Sequence, residues 1–270
     1  MNNKIKTILF AIIALSAVGC EIEPKQTLPE RKFELAWSDE FDVDSSAALD
    51  AAKWTYDIGT GENGWGNNEL QTYTQNLKNV SLDGKGNLVI TALKSTSGYT
   101  SARIKTEGLF SNQFGRVEAR IKTPTGSGIW PAFWMLGSNI KKVGWPQCGE
   151  IDIMEQKGKF SNINYGSVHG PGYAGGQAIT APYVLQNDRF DNNFNVYAVE
   201  WSENKVDFFV NNYLYKRITP SDASGQWVFN QSFFIIMNIA VGGSFIGPPN
   251  DNTPFPVSML IDYVRVYKQK

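Results

Sequence analysis

Three acidic residues, Glu150, Asp152 and Glu155, lie within six positions of a strongly β-prone segment. In a regular strand Glu150 and Asp152 would share one face. Glu155 would point to the opposite face with Ile151 and Ile153, into the hydrophobic core, where an unpaired carboxylate is very costly. A one-residue β-bulge after Asp152 removes this conflict, because it resets the alternation and brings all three acids to one face. The sequence therefore predicts a bulge, with Ile151 and one of the next two apolar residues pointing inward.

The spacing of the two glutamates indicates the chemistry. With one residue taken up by the bulge, the Cα atoms of Glu150 and Glu155 would lie about 13 Å apart. Side chains that lean inward could bring the carboxyl groups to about 5–6 Å, which favours a retaining glycosidase over an inverting one. Asp152, between them, could share a proton with the nucleophile and shift both pKa values. The alternative is a solvent-facing strand of ordinary charges, but like charges crowded on one strand face destabilise a sheet.

The elements that must position these acids are strands. Residues 114–122 and 259–267 alternate apolar and polar side chains, and glycine-containing turns such as 83–87 and 242–243 separate such segments. An apolar stripe with helical spacing is nowhere sustained over three turns. The pattern predicts an all-β sandwich or barrel in one domain, and leaves the topology open.

Composition restricts the partners. The chain has 25 basic and 26 acidic residues, and loss of Lys4 and Lys6 with a leader would leave a net charge of −3. This near-balance offers no general attraction to nucleic acid and favours a neutral substrate. Eight Trp, eleven Tyr and sixteen Phe exceed what a core of this size requires, so some should line a groove. Besides Cys20 the chain has one cysteine, Cys148, so an intrachain disulfide in the domain is not expected.

The N-terminal residues resemble a bacterial lipoprotein leader. A positive start is followed by the apolar residues 8–18, a run too short to span a bilayer permanently. Small residues then precede Cys20 directly, as in a lipobox, where cleavage leaves a lipid-modified cysteine; an ordinary signal peptide with an incidental cysteine is the alternative. The expected parts are a signal peptide (1–19), a polar tether that begins with the lipidated Cys20 (20–32) and the globular domain (33–270).

A lipid anchor predicts a place in the outer membrane of a Gram-negative bacterium. The acidic residues Glu21 and Glu23, just after the cysteine, favour the cell surface. The periplasmic face remains the alternative.

The acidic segment resembles a known active-site signature. Residues 149–155 (GEIDIME) are similar to that of glycoside hydrolase family 16, in the form with an extra residue before the last Glu that is typical of its laminarinase-like branch. Further segments resemble the family in the same order: 65–71 (WGNNELQ), 128–136 (GIWPAFWML), 169–173 (HGPGY) and 237–243 (MNIAVGG). The resemblance runs from about Phe33 to Tyr267.

The resemblance implies a β-jelly roll of two curved antiparallel sheets with a concave substrate cleft. It also implies retaining, endo-acting hydrolysis of β-1,3-glucan or mixed β-1,3/1,4-glucan, with Glu150 as nucleophile, Asp152 as assisting acid and Glu155 as general acid/base. The alternatives are an agarase or carrageenase of the same fold, a transglycosylase, and a non-catalytic β-glucan-binding lipoprotein. Retention of both glutamates favours an enzyme.

The resemblance also implies a set of sugar-binding residues. Trp130 and Trp134 share a strand face and, with Trp145, could stack on glucose rings. His169, the single histidine, is expected to hydrogen-bond substrate and not a metal, because no second ligand accompanies it in the sequence. Arg103 is either a sugar ligand or a surface charge, and Trp201 is either a weaker cleft residue or core. The expected binding residues are Asn68, Arg103, Trp130, Trp134, Trp145, His169 and Asn238.

Members of this family often hold a structural calcium away from the cleft. The matching positions are Glu40 or its neighbour, Gly86 and Asp262, which could supply the hard oxygen ligands that calcium prefers. No cofactor is expected for catalysis, and the protein is expected to be a monomer.

Overall fold

A computed structural model describes residue 26 and residues 32–43 and 47–270. The predicted signal peptide, Cys20 and most of the tether lie outside these residues. The described part is built from short strands, with one α-helix, α1 (Ile140–Val143), and three other short helical turns, Gly64–Asn68, Gly175–Gln177 and Pro220–Asp222. The strands are β1 (Phe33–Asp39), β2 (Thr55–Asp57), β3 (Gln71–Tyr73), β4 (Val80–Leu82), β5 (Leu88–Ser95), β6 (Gly98–Ser101), β7 (Arg103–Lys105), β8 (Gly115–Lys122), β9 (Ile129–Gly137), β10 (Glu150–Glu155), β11 (Ile163–His169), β12 (Ile179–Val184), β13 (Asn195–Ser202), β14 (Lys205–Val210), β15 (Tyr213–Ile218), β16 (Phe233–Val241) and β17 (Val257–Gln269).

These strands form two sheets. The ten-stranded sheet has the order β15-β14-β13-β8-β17-β5-β6-β3, with β1 paired to β17 and β4 to β5. The seven-stranded sheet has the order β12-β11-β10-β9-β16-β7-β2. The arrangement confirms the predicted all-β jelly-roll sandwich. One detail differs from the expectation of antiparallel sheets, since β3 and β6 pair in parallel.

The core lies between the two sheets. Alternate residues of each strand enter it, for example Val117 and Ile121 on β8 and Phe133 and Met135 on β9, each at most 1% exposed. Each large apolar side chain that is fully buried in this way contributes roughly 1.5–3 kcal/mol.

Trp201, the weaker of the tryptophan candidates, belongs to this core. It is 3% exposed and packs edge-on against Phe114 and Phe233. Its strand, β13, lies in the ten-stranded sheet, so the cleft reading of Trp201 is wrong and the core reading is correct.

The outer face of the seven-stranded sheet, here called the cleft face, carries the residues expected to bind sugar. On β9, Trp130 and Trp134 alternate with the core residues Phe133 and Met135 and therefore point to the cleft face. β9 is flanked by β10 on one side and β16 on the other. The strand with the three acids thus lies next to the strand with the tryptophans.

Within the described residues, no helix has the length and apolar character needed to cross a bilayer.

Candidate active site

The acidic strand β10 contains the predicted bulge. Its register with β9 shifts between Asp152 and Met154, and its register with β11 shifts between Asp152 and Glu155. Ile151, Ile153 and Met154 are all fully buried, so two consecutive apolar residues point inward at the bulge. The extra inward residue returns Glu155 to the cleft face, which confirms the predicted bulge, although both Ile153 and Met154 are buried where only one of them was expected inside.

Glu150 opens β10 and is held by Trp145. The indole N–H of Trp145 donates to Glu150 Oε2 at 2.9 Å. Burial raises the pKa of Glu150, the charge of His169 lowers it and the charge of Glu155 raises it again, with a net result above the usual value. Trp145 itself is 47% exposed, so its ring remains accessible to a sugar.

Asp152 and His169 form the centre of the site. His169 Nε2 lies 3.0 Å from Asp152 Oδ2 and 3.6 Å from Glu150 Oε1. The N–H of Gly175 donates to His169 Nδ1 at 3.1 Å, which fixes the ring and favours a proton on Nε2, facing the acids. Burial lowers the pKa of His169 and the charges of Asp152 and Glu150 raise it, but a second proton on Nδ1 would face the N–H of Gly175, so the ring carries its proton on Nε2.

The expectation that no second metal ligand accompanies His169 is wrong. Oxygen atoms of Glu150 and Asp152 and a ring nitrogen of His169 lie within 4.8 Å of one another, so possible ligands do accompany the histidine. The sequence could not show this, because β11 supplies the histidine and β10 the acids. The proton on Nε2 faces Asp152, and a metal ion at this nitrogen would have to displace it.

Glu155 ends β10 and receives a hydrogen bond from the indole N–H of Trp130 at 3.0 Å. Burial, followed by the negative charge of Asp152, raises the pKa of Glu155 to about 8. Burial and the charge of Glu150 likewise raise the pKa of Asp152 to about 7. Three carboxyl groups thus face one imidazole, and Glu155 retains its proton at neutral pH. A carboxyl group that keeps its proton is what general acid catalysis requires, and a second glutamate on the same face can serve as the nucleophile.

Arg103 lies on the cleft face in an aromatic sandwich. Its guanidinium carbon is 4.8 Å from the ring centre of Trp65 and 4.7 Å from that of Trp134, and its Nε is 2.9 Å from Asp57 Oδ2. Its alternative interpretation as an ordinary surface charge is therefore wrong. Trp65 was not expected at the site, although it lies in the segment 65–71 that resembles the family.

The two asparagine candidates lie on the same side of β9 as Arg103. Asn238 is 5% exposed and accepts a hydrogen bond from the indole N–H of Trp134 at 2.8 Å. Asn68 is exposed and donates to Ser244 Oγ at 3.0 Å. Their contacts to sugar remain predictions, as do those of the other binding residues.

The sequence patterns did not predict the aromatic group that lies beside Glu155. Phe245 packs 5.0 Å from Trp130 and 5.9 Å from Tyr165, and Lys157 Nζ lies 4.2 Å above the Phe245 ring. Tyr165 is the register partner of Glu155 on β11. A glycine-rich turn followed by an aromatic residue was the signal in the sequence, but the turn was interpreted only as a strand boundary.

The candidate calcium ligands lie apart from this site. Arg265 donates two hydrogen bonds to the carboxylate of Glu40, and Arg120 binds Asp262 Oδ2 at 2.6 Å. Gly86 lies in the turn before β5 with a φ of +83°. These side chains do not form a carboxylate cluster among the described residues, so a calcium ion would depend on backbone carbonyls and on an oxygen that the arginines leave free.

Comparison with known proteins decides the family. A family model described as glycosyl hydrolases family 16 matches residues 64–265. A relative named beta-glucanase, from Rhodothermus marinus, is 38% identical over 287 aligned positions that cover 99% of this chain and 95% of that protein. The chain belongs to glycosyl hydrolases family 16.

Solved structures of family 16 members agree with this assignment. The catalytic domain of an endo-1,3-beta-glucanase (laminarinase) from Thermotoga petrophila is 43% identical and superposes with a TM-score of 0.83 over 89% of this chain and all of that domain. A more distant relative is named a beta-1,3-glucan-binding protein, from Penaeus monodon; it is 32% identical over 54% of this chain and 47% of its own length. The laminarinase-like resemblance of the sequence is thus confirmed.

Proposed function

We propose that the protein is a retaining endo-β-glucanase that hydrolyses internal linkages of β-1,3-glucan or mixed β-1,3/1,4-glucan. The observation that carries this proposal is the unequal setting of two glutamates on one face. Glu155 keeps a proton to about pH 8, whereas Glu150 accepts an indole hydrogen bond and faces the histidine.

Hydrolysis follows in two steps. In the first, Glu155 gives its proton to the glycosidic oxygen while a carboxylate oxygen of Glu150 attacks the anomeric carbon, which breaks the sugar–oxygen bond and forms a covalent glycosyl-enzyme. In the second, the carboxylate of Glu155 takes a proton from water, the resulting nucleophile attacks the same carbon, and the bond to Glu150 breaks. The two inversions give net retention, and both glutamates regain their starting states.

The surrounding residues hold the two charges in place. Trp145 and Trp130 each direct one indole N–H at one of the glutamates. His169 lies between Glu150 and Asp152 and offsets part of the negative charge that accumulates there. Asp152, with a pKa of about 7, can pass a proton within the cluster between the two steps.

The choice of substrate rests on three grounds. A relative that aligns over 95% of its own length is named a beta-glucanase, and a solved catalytic domain that is matched over its full length is named an endo-1,3-beta-glucanase (laminarinase). The near-balanced charge of the chain offers little attraction for a sulfated polymer. The exposed ring of Trp145 beside the nucleophile suits the apolar face of a glucose unit.

A digest panel tests the proposal. Laminarin, barley glucan, lichenan, agarose and carrageenan are each treated with the wild-type protein and with a Glu150→Gln control, and the product linkages are determined. The expected result is cleavage of laminarin, of the mixed-linkage glucans or of both, with a rapid fall in viscosity and no cleavage by the control. Cleavage of agarose or carrageenan alone, or binding of laminarin with no cleavage, would overturn the assignment.

We further propose that the lipoprotein leader anchors the domain to the outer membrane through Cys20, with the cleft outside the cell. Support comes from the leader sequence alone. Labelling with palmitate should mark the wild type but not a Cys20→Ala variant, and protease added to intact cells should remove the domain. A protected domain would place it on the periplasmic side.

A structural calcium near Glu40, Gly86 and Asp262 is also proposed, as is a monomeric state. The turn that contains Gly86 comes just before Leu88, which pairs with Ile261 next to Asp262, and Arg120 engages one of the two oxygens of Asp262. Calcium added to chelator-treated protein should raise its melting temperature; no change would refute the site.

For the proposed monomeric state, light scattering should give the mass of one chain.

A further inference from the structure

Two pairs of hydrogen-bonded polar side chains bridge the space between the two sheets, close in sequence to the acid/base and to its partner strand β11. Gln156 and Asn164, both fully buried, come from the seven-stranded side. Gln156 Nε2 donates to the hydroxyl of Tyr197 at 3.2 Å, and Asn164 Nδ2 donates to the hydroxyl of Tyr215 at 3.3 Å. Both tyrosines belong to the ten-stranded sheet, so the polar groups link the two layers.

The side chains of Tyr197 and Tyr215 lie close together in the core. Burial raises the pKa of Tyr197 well above its usual value, and nearby Tyr215 raises it further, although the hydrogen bonds to Gln156 and Thr123 lower it in part. Gly166 makes room for Tyr215, because a Cβ atom at this position would collide with the Tyr215 hydroxyl. The polar groups therefore share one region of the core.

Several buried polar atoms in this region have no hydrogen-bond partner. Gln156 Oε1 and Asn164 Oδ1 are buried and have no protein partner. The hydroxyl of Thr123 lies beside that of Tyr197 but also has no well-directed hydrogen bond. Rotating either amide by half a turn would exchange the unpaired oxygen for an unpaired N–H, so the deficit stays. Buried polar groups in this condition are typically bridged by ordered water.

We propose that ordered water occupies this inter-sheet site and that Gln156, fastened by it, is a positioning residue for Glu155. Gln156 directly follows Glu155, and the strand alternation that turns Glu155 to the cleft turns Gln156 into the core. The N–H of Gln156 also donates to the carbonyl of Pro131 at 3.3 Å, next to Trp130, whose indole binds Glu155. A displaced Gln156 would thus move both the acid/base and its hydrogen-bond donor.

The inference rests on the proposed function, because it assigns Glu155 the acid/base role, but its first test needs no substrate. A crystal structure of the wild-type protein, at a resolution that shows ordered solvent, should place water within hydrogen-bond distance of Gln156 Oε1 or Asn164 Oδ1. A dry space beside both atoms would overturn the proposal and would leave the glucanase assignment intact.

The second test measures positioning. In Gln156→Leu we expect kcat to fall about ten-fold with KM nearly unchanged, because a small displacement of a catalytic group is enough for such a loss. The alkaline limb of the pH profile, set by Glu155, should move as well. The matched control is Asn79→Leu, a buried amide on the ten-stranded side that is fully hydrogen-bonded; it should lose stability with an unchanged pH profile.

A milder variant covers the case in which Gln156→Leu does not fold. Thr123→Val removes one hydroxyl with little change in shape, and it should shift kcat and the alkaline limb in the same direction by a smaller factor. A wild-type kcat and pH profile in the folded variants would refute the positioning role, even if water is present.

Discussion

Buried acids occur on both sheets of this protein, in opposite electrostatic settings. On β14 the side chain of Asp207 is completely buried and lies 2.6 Å from both Arg217 Nε and Lys205 Nζ. Burial alone would raise the pKa of Asp207, but the hydrogen bonds from Arg217 and Lys205 lower it below its usual value. On β10 three acids share a single histidine, and burial with mutual repulsion raises their pKa values.

The difference separates a structural acid from a catalytic one. Asp207 is ionised and matched by cations, so its charge helps to hold β14 to β15. The cleft acids are short of cations, so at least one proton stays in the cluster at neutral pH. Such a cluster costs folding free energy and supplies a proton donor, a combination typical of active sites.

The largest expected effect comes from the nucleophile. Glu150→Gln keeps the shape of the side chain and its hydrogen bond from Trp145 but removes the attacking charge, so activity should fall roughly 10⁴-fold or more. The assay is reducing-sugar release from laminarin. The matched control, Glu203→Gln in the exposed turn after β13, should remain at the wild-type rate. Activity of Glu150→Gln within ten-fold of wild type would show that Glu150 is not the nucleophile.

The next effect concerns the proton on Glu155. Because the pKa of Glu155 is about 8, wild-type kcat/KM should fall as the pH rises through this value and the acid loses its proton. Glu155→Gln should lower activity by about 10²–10⁴-fold and abolish the alkaline limb. The measurement is kcat/KM against pH. An unchanged limb in the variant would assign the proton to another group.

A third prediction addresses the structural acid. Asp207→Ala should lower the free energy of unfolding by about 1–3 kcal/mol with activity retained, since it leaves Arg217 and Lys205 without their partner. A lowered pKa contributes stability above the unfolded value, about 3.9, that is lost as the pH falls through the folded value. The gap between wild type and variant in urea denaturation should therefore close in acid. Equal stabilities at neutral pH would contradict this role.

The smallest expected effect is a gain in thermal stability when the buried acid Glu155 is replaced by a neutral residue. A carboxyl group whose pKa is raised to about 8 favours the folded state below the unfolded value, about 4.3, and loses this advantage as the pH rises through 8. Glu155→Gln should therefore melt about 2–4 °C higher than wild type near pH 9 and show no such gain near pH 4. A melting temperature lowered at both pH values would indicate that the charge is compensated.

Local patterns were sufficient to predict an all-β domain, either a sandwich or a barrel, and the bulge, whereas the jelly roll followed from the family resemblance. The alternation of β8 and β17 and the glycine-rich turns indicated strands. The bulge followed from a conflict within β10 itself, where a regular strand would have buried Glu155. Such conflicts are visible in sequence because all the residues involved are consecutive.

Contacts between strands were not predictable in the same way. His169 lies beside Asp152 because β11 pairs with β10 in one register, and the sequence contains no sign of this register. The same holds for Tyr165 opposite Glu155 and for the indole hydrogen bonds, since Trp130 and Trp145 were expected to stack on sugars. The parallel pairing of β3 with β6 depends on a crossover that local pattern does not encode.

Glu150 attacks the anomeric carbon while Glu155 holds the proton, and peptide mass spectrometry can distinguish these two roles. The enzyme is treated with a 2-deoxy-2-fluoro-β-laminaribiosyl fluoride, whose leaving group needs no acid and whose fluorine slows release from the enzyme. We expect one disaccharide adduct, on Glu150. An adduct on Glu155, or turnover with an inverted anomeric centre and no adduct, would rule out this assignment of the nucleophile.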